Sequence, residues 1–290
     1  MSDSPREVFF RLSEGISDGR WTELGDLYAE DCVVEHPQRP PAGSRMTGRK
    51  AVADRFAATA GSIELKARDV VVHETTDPEL VVAEFAYHGR HGERTFRSAN
   101  VQVLRVRDGL IVHSRDYHDY LKMAAARDGL DALAAQYAPG SAPLPTSPEV
   151  TVSAPGSSPR GIIERLLHGV TNGEGAALAG LYAEDCHVTH PFHPTAPVLT
   201  GRDELRAHFA PARGARLRAH DLVTYQGQDP ELIVSEFRYA DRGGLFVLSN
   251  LFVTYIRDGL ITRSRDYGDH LALAAGTSTL PELLDAARAA

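Results

Sequence analysis

Two histidine–proline pairs and two aspartates carry the most evident acid/base chemistry of this sequence. His36 and His190 each precede a proline, and Asp116 and Asp266 each lie within an Arg-Asp-Tyr segment. Histidine titrates near neutral pH and can remove or deliver a proton. A carboxylate in an apolar pocket has a raised pKa, which also suits acid/base work. The alternatives are a histidine that caps a strand end and an aspartate in a structural ion pair with a neighbouring arginine.

These residues occur in pairs because the chain contains two copies of one domain. Residues 27–32 (LYAEDC) return as residues 181–186, which is 154 positions later, and residues 107–111 (RDGLI) return as residues 257–261, which is 150 positions later. The offset falls in small steps, so the second copy carries short deletions in loops. We predict a first domain at 1–137 with a helical tail, a Pro/Ser/Gly linker at 138–159 and a second domain at 160–290.

The composition excludes several functional classes. The chain has 290 residues, a net charge of −8 and no Lys/Arg-rich run, so we expect no nucleic-acid partner. No apolar stretch approaches the roughly 18 residues of a membrane span, and the polar N-terminus does not have the pattern of a signal peptide. Cys32 and Cys186 occupy equivalent positions, and we expect two reduced thiols and a cytoplasmic location.

Each copy has the same order of predicted elements. Helices come first, and a strand that ends at the histidine–proline pair leads to a third helix from Arg49. Four long strands follow, and Asp108-Gly109 is a strong turn signal between the last two. Helices followed by an antiparallel run of strands indicate an α+β fold. Strand alternation places Ser114 and Asp116 on one face of the last strand.

At this level the sequence resembles the nuclear transport factor 2-like superfamily. The resemblance rests on the L-Y-A-E-D-C-x-V-x-H-P segment, the Gly-Arg pair that opens a helix, and the final hairpin with R-D-G-L-I-x-x-S-R-D-Y-x-D. Members include ketosteroid isomerase, SnoaL-type polyketide cyclases, limonene epoxide hydrolase and phenazine-biosynthesis A/B-type proteins. The resemblance implies two tandem cone-shaped domains, each a curved antiparallel or mixed sheet wrapped around three helices, with a pocket at the open end.

The resemblance also implies roles for particular residues. His36 and His190 stand where ketosteroid isomerase has its catalytic aspartate base. Asp116 and Asp266 stand where the epoxide hydrolases have a catalytic aspartate. The remaining candidates are expected to bind substrate. Asn100 and Asn250 would polarise a carbonyl. The aromatic candidates would form the pocket wall or the core, and they are Tyr28, Tyr182, Phe85, Tyr87, Phe237 and Tyr239.

Departures from the family pattern argue against two known activities. Leu12 and Leu166 occupy the position of the isomerase tyrosine, which argues against steroid isomerisation. The epoxide hydrolase Arg-x-Asp pair is replaced by Phe85 and Tyr87 in the first copy, which argues against epoxide hydrolysis. His187, His190 and His193 have a spacing that puts successive members on opposite strand faces, so we expect no metal site.

We therefore expect a cofactor-free acid/base enzyme of isomerase, cyclase or lyase type that acts on a small, largely apolar metabolite in specialised metabolism. The alternative is a non-catalytic small-molecule-binding or scaffold protein of the same fold. Because proteins of this fold commonly dimerise, two tethered copies are expected to pack as an intrachain pseudo-dimer, with further homodimerisation as an option.

Overall fold

The computed structural model describes residues 3–137, 147–212 and 217–290. They form two compact units, unit 1 (Met1–Ala138) and unit 2 (Pro139–Ala290). Part of the predicted linker, at 138–146, lies outside the described residues. Its described part is bound to unit 2, since the backbone N–H of Val150 donates to the carbonyl of Ala219 at 2.8 Å.

Unit 1 has four α-helices and one 3-10 helix among the described residues, and the start of the first helix is fixed by capping residues. They are α1 (Pro5–Ser17), α2 (Arg49–Thr59), α3 (Tyr120–Ala125) and α4 (Leu130–Ala135), with a 3-10 helix at Trp21–Leu27. Ser4 and Glu7 form a reciprocal capping box at the start of α1, and Pro5 occupies the first turn. The helical tail expected after Leu121 consists of two short helices, α3 and α4.

Unit 1 contains one six-stranded sheet. Its strands are β1 (Tyr28–His36), β2 (Ser44–Thr47), β3 (Glu64–Glu74), β4 (Leu80–His91), β5 (Arg94–Arg107) and β6 (Leu110–His118). Their order is β2-β1-β6-β5-β4-β3. The β1–β6 pair is parallel and the other pairs are antiparallel, so the sheet is mixed.

Two local features shape this sheet. Asp108 and Gly109 have φ values of 52° and 77°, as a tight two-residue hairpin between β5 and β6 requires. Asp69, with a φ of 54°, lies where the β3–β4 register shifts. Such a bulge increases the local twist and bends the strand, which gives the sheet its curvature.

Unit 2 repeats the arrangement. Its helices are α5 (Pro159–Thr171), α6 (Gly201–Phe209), α7 (His270–Gly276) and α8 (Leu280–Ala289), with 3-10 helices at Gly175–Leu181 and Ala210–Ala212. Its strands are β7 (Tyr182–Thr189), β8 (Leu199–Thr200), β9 (Leu217–Gln226), β10 (Leu232–Asp241), β11 (Val247–Arg257) and β12 (Leu260–Tyr267), in the order β8-β7-β12-β11-β10-β9. The predicted α+β class and the tandem duplication of the fold are confirmed.

The core of each unit lies between the first helix and the sheet. In α1 the buried residues Val8, Leu12 and Ile16 recur every four positions, and α1 packs against β3, β4 and β5. In unit 2, α5 packs against β9 and β10 in the same way. Cys32 and Cys186 are buried free thiols. Among the described residues, no helix is both long and apolar enough to cross a membrane.

Candidate active site

The register of β1 against β6 brings His36 and Asp116 together. Glu35 pairs with Arg115 in this parallel ladder, so His36 and Asp116 follow one residue further along their strands. Pro37 ends β1 directly after His36, because proline has no N–H for the ladder. The local sequence thus places an imidazole and a carboxylate side by side at the end of two adjacent strands.

His36 and Asp116 face each other without a direct hydrogen bond. His36 Nε2 lies 3.8 Å from Asp116 Oδ2, and their side chains are 11% and 13% exposed. This separation exceeds hydrogen-bond length and leaves space for an atom that bridges the two groups. The other ring nitrogen, Nδ1 of His36, is buried and has no hydrogen-bond partner among the described residues. An unsatisfied buried imidazole nitrogen is costly, and such exceptions are frequent at functional sites.

Asp116 is held by polar neighbours on its other side. Gln102 pairs with Asp116 across β5 and β6, and its Nε2 donates to Asp116 Oδ1 at 2.8 Å. The Ser114 hydroxyl donates to the same oxygen. These bonds fix the carboxyl plane and leave Oδ2 directed at His36.

His118, which the sequence reasoning missed, completes the cluster. It lies two residues after Asp116 on β6, so both side chains are on one face. Its ring centroid is 5.6 Å from that of His36. His118 Nδ1 lies 2.7 Å from Asn100 Oδ1, and an amide oxygen only accepts, so Nδ1 carries the proton and Nε2 is left as an acceptor.

Asn100 orients His118 rather than lining the cavity. Its Nδ2 donates to the carbonyl of Ser98 at 2.8 Å, while its Oδ1 accepts from His118. Both polar atoms of the amide are therefore engaged by the protein.

His36, Asp116 and His118 line a cavity of about 590 Å³ in unit 1. This volume is within the range of small-molecule sites, about 300–1,000 Å³. The wall is largely aromatic and aliphatic, and includes Phe9, Trp21, Tyr28, Phe85, Tyr87 and Val101. The expected wall residues Tyr28, Phe85 and Tyr87 are thus placed together around the His–Asp pair.

Burial favours the uncharged imidazoles of His36 and His118 near neutral pH. Burial lowers the pKa of His36, the positive charges of Arg55 and Arg39 add to this effect, and Asp116 opposes it. Burial, followed by the proximity of His36, lowers the pKa of His118 to about 4. An uncharged imidazole can accept a proton, so the site is poised for base chemistry.

Two tyrosines near Asp116 are hydrogen-bond donors. Burial, and then the charge of Asp116, raises the pKa of Tyr28 and of Tyr87 above the ordinary value. Both phenols therefore keep their protons and can donate to a polar atom of a bound molecule.

His36, Asp116 and His118 are also a set of metal-ligand types. One potential ligand atom from each lies within 4.8 Å of the others, and this is the one such cluster among the described residues. Two histidines and one carboxylate can hold a divalent transition metal. His187, His190 and His193 do not form such a cluster in the described part of the chain.

Unit 2 retains the histidine and the aspartate in different surroundings. Phe252 and Gly268 stand where unit 1 has Gln102 and His118. No ion pair joins His190 to Asp266 among the described residues, whereas His36 and Asp116 face each other. The substrate-binding candidates Tyr182, Phe237 and Tyr239 are buried as their counterparts are. Asn250 Nδ2 lies 3.3 Å from the carbonyl of Leu248, so this amide is also bound to backbone.

Burial favours the uncharged forms of His190, Asp266 and His270 in unit 2. Burial, then the charges of His208 and His193, lowers the pKa of His190 to about 4. Burial raises the pKa of Asp266 to about 7 against a hydrogen bond from Ser264. Burial likewise lowers the pKa of His270 to about 3.

A cone of helices and a curved mixed sheet, with polar groups inside it, defines a nuclear transport factor 2-like domain. The family model of the SnoaL-like domain matches residues 9–114 and again residues 163–264. The chain therefore belongs to the SnoaL-like family and carries its domain twice.

Two curated relatives each match one domain's length of this chain. An uncharacterised PhzA/B-like protein of Pseudomonas aeruginosa is 32% identical over 135 residues, which is 44% of this chain and 94% of the relative. The uncharacterised protein YesE of Bacillus subtilis is 33% identical over 113 residues, which is 38% of this chain and 75% of the relative.

Solved structures of similar proteins also span one domain. A candidate isomerase from Bacillus subtilis is 26% identical, with a TM-score of 0.41, over 43% of this chain and 93% of its own. A phenazine biosynthesis-related protein from Pseudomonas aeruginosa is 16% identical, with a TM-score of 0.39, over 43% of this chain and 81% of its own.

Proposed function

We propose that unit 1 is an acid/base enzyme of isomerase, cyclase or lyase type that acts on a small, largely apolar metabolite. The observation that carries this proposal is the His36–Asp116 pair, with 3.8 Å between Nε2 and Oδ2, inside an apolar cavity. The reaction needs no cofactor in this scheme, because both proton-transferring groups are side chains of the chain.

The residues have distinct parts in the proposed proton transfer. Uncharged His36 removes a proton from a carbon acid bound in the cavity beside it and Asp116. Asp116 stabilises the imidazolium that forms, because an opposite charge at this distance favours the charged histidine. Tyr28 and Tyr87 donate to an oxygen that gains negative charge during the reaction. Asn100 acts as a positioning residue through His118.

The test uses 5-nitrobenzisoxazole, a small apolar carbon acid whose ring opens after a single proton is removed. The full chain is expected to accelerate this opening above buffer, and His36→Ala to lower the rate by about 10²–10⁴-fold, the usual contribution of a positioned base. His190→Ala, at the matched position in unit 2, is the control variant. An unchanged rate in the double variant His36→Ala/His190→Ala would refute the role of histidine.

Two further measurements separate this proposal from its rivals. Treatment with EDTA should leave the rate unchanged, and a loss restored by a divalent cation would show that His36, Asp116 and His118 act as metal ligands instead. Tight binding of apolar molecules with no turnover above buffer would favour a carrier or scaffold.

A further inference from the structure

Three arginines from separate elements meet at the cavity of unit 1. Arg39 follows β1, Arg55 lies on α2 and Arg127 follows α3, and all three line the cavity. Arg55 and Arg127 are exposed and Arg39 is half-buried, so their side chains lie where the cavity opens to solvent. We call these three residues the arginine rim.

The arginine rim is not neutralised by the protein. Most arginines of unit 1 pair with a carboxylate, as Arg45 and Arg115 do with Glu35 at 2.8 and 3.1 Å. None of the three rim arginines forms an ion pair within the described part of the chain. Asp116 is the one carboxylate among the described residues that line the cavity, and it is engaged by Gln102 and Ser114.

The rim carries an electrostatic cost in the absence of an anion. Burial, and next the charge of Arg55, lowers the pKa of Arg127. Like charges held close together repel, and this repulsion is relieved when an anion binds between them. The whole chain has a net charge of −8, so a cluster of unpaired cations around one cavity is contrary to the general charge of the protein.

Unit 2 provides an internal comparison, because all three rim positions differ there. Arg39 corresponds to His193, at an offset of 154. Arg49 and Arg202 are equivalent, because each donates to the carbonyl of the first residue of the matched strand, β1 or β7. Arg55 and His208 each lie six positions further along, so they correspond. Arg127 corresponds to Thr277, as both lie two residues before the N-cap of the last helix.

The replacements remove positive charge while the surrounding fold is kept. Burial lowers the pKa of His193 and of His208 below the ordinary value, so both are uncharged near neutral pH, and Thr277 has no charge. The rim of unit 1 is therefore a local feature of one copy and not a requirement of the fold.

We propose that the cavity of unit 1 binds an apolar organic acid whose anionic group is held by Arg39, Arg55 and Arg127, and that unit 2 has no such preference. Guanidinium groups bind carboxylates through paired, charge-assisted hydrogen bonds. The apolar body of the acid then lies against the aromatic wall, beside His36 and Asp116. This inference deepens the proposed function by naming the charge of the substrate, and it rests on the assignment of the cavity as a substrate site.

The test compares two fluorescent probes with the same ring system. 1-Anilinonaphthalene-8-sulfonate is an anion, and N-phenyl-1-naphthylamine lacks the sulfonate. Trp21 is the single tryptophan of the chain and lines the cavity of unit 1, so transfer of its excitation reports a probe bound near that cavity, and the variants below assign the probe to the cavity itself. The full chain is expected to bind the sulfonate more tightly than the amine.

The variant Arg39→Gln/Arg55→Gln/Arg127→Gln should weaken sulfonate binding by about tenfold or more and change amine binding by less than about twofold. The matched variant His193→Gln/His208→Gln should change neither. Equal weakening of both probes, or no change for the sulfonate, would overturn the inference. On the unmodified chain, added salt should weaken binding of the sulfonate and not of the amine, and equal salt dependence would also count against it.

These outcomes separate the inference from the proposed function. Loss of selective sulfonate binding in the rim variant is expected whether or not His36 transfers protons. Conversely, if the chain turns over 5-nitrobenzisoxazole but binds both probes alike, the acid/base proposal stands and the anionic substrate does not.

Discussion

Replacing Asp266 with asparagine should raise the free energy of unfolding of unit 2 relative to the unmodified chain, and this advantage should be larger at alkaline pH than at acidic pH. Burial raises the pKa of Asp266 to about 7, although Ser264 donates a hydrogen bond that acts in the opposite direction. An aspartate in an unfolded chain has a pKa of about 3.9. Between these values the folded state holds a proton that the unfolded state has released.

The sign and size of the effect follow from this difference in pKa. As the pH rises from about 4 to 7, the unfolded chain gains stability by ionising Asp266 and the folded unit does not, so the free energy of unfolding falls. The loss is complete above about pH 7. One pKa unit corresponds to about 1.4 kcal/mol, so a difference of about three units sets an upper limit of about 4 kcal/mol.

Asparagine has the shape of aspartate and no titration, so it removes this pH dependence. The advantage of Asp266→Asn in free energy of unfolding should grow by about 2–4 kcal/mol between about pH 4.5 and 8. Any pH-independent cost of the new amide cancels in this comparison. Urea unfolding is followed by far-UV circular dichroism for both units and by Trp21 fluorescence for unit 1, whose transition should not move.

The matched control is Asp258→Asn, in the exposed turn between β11 and β12. Asp258 has a φ of 52°, which asparagine also tolerates, so the control changes charge without changing the turn. It should show no growth in stability with pH. If the advantage of Asp266→Asn were equal at all pH values, the reasoning that burial holds a proton on Asp266 would be refuted.

Two further predictions concern hydrogen bonds that position other groups. Asn100→Ala should lower kcat for 5-nitrobenzisoxazole by about tenfold at unchanged KM. It should also release the fixed Nδ1–H tautomer of His118, which the ¹⁵N resonances of the ring report. An unchanged tautomer would contradict the positioning role. Glu164 accepts from the backbone N–H groups of Ser153 and Ala154 at 2.7 and 2.8 Å, so Glu164→Gln should speed amide hydrogen exchange at those two residues, and unchanged protection would refute this.

Local chemistry made much of the fold predictable. The Asp108-Gly109 turn, the stop of β1 at Pro37 and the four long strands follow from residue types over short distances, and the structure confirms them. The tail after Leu121 is helical, as expected, and Asp128, with a φ of 55° before Gly129, separates it into α3 and α4.

The surroundings of the candidate site were harder to predict, because they depend on contacts between distant segments. His118 could have been found from its position two residues after Asp116 on one strand face. It does not recur in the repeat, because the second copy has Gly268 at the matched position. Arg127 lies 88 positions after Arg39, and nothing in their spacing shows that both reach one cavity.

Residues that differ between the copies are therefore more informative about ligands than residues that recur. Asp119 and Asp269 recur, yet each caps a helix by accepting from a backbone N–H, at 2.9 and 3.0 Å, so recurrence alone does not indicate chemistry. The three rim positions, by contrast, lie in three separate elements and all lose their charge in unit 2. Such a change leaves helix caps, register and core intact, and alters the charge and size of the side chains presented to a molecule entering the cavity. Selection on the ligand explains this pattern more directly than selection on stability, because arginines at the protein surface contribute little to the free energy of folding.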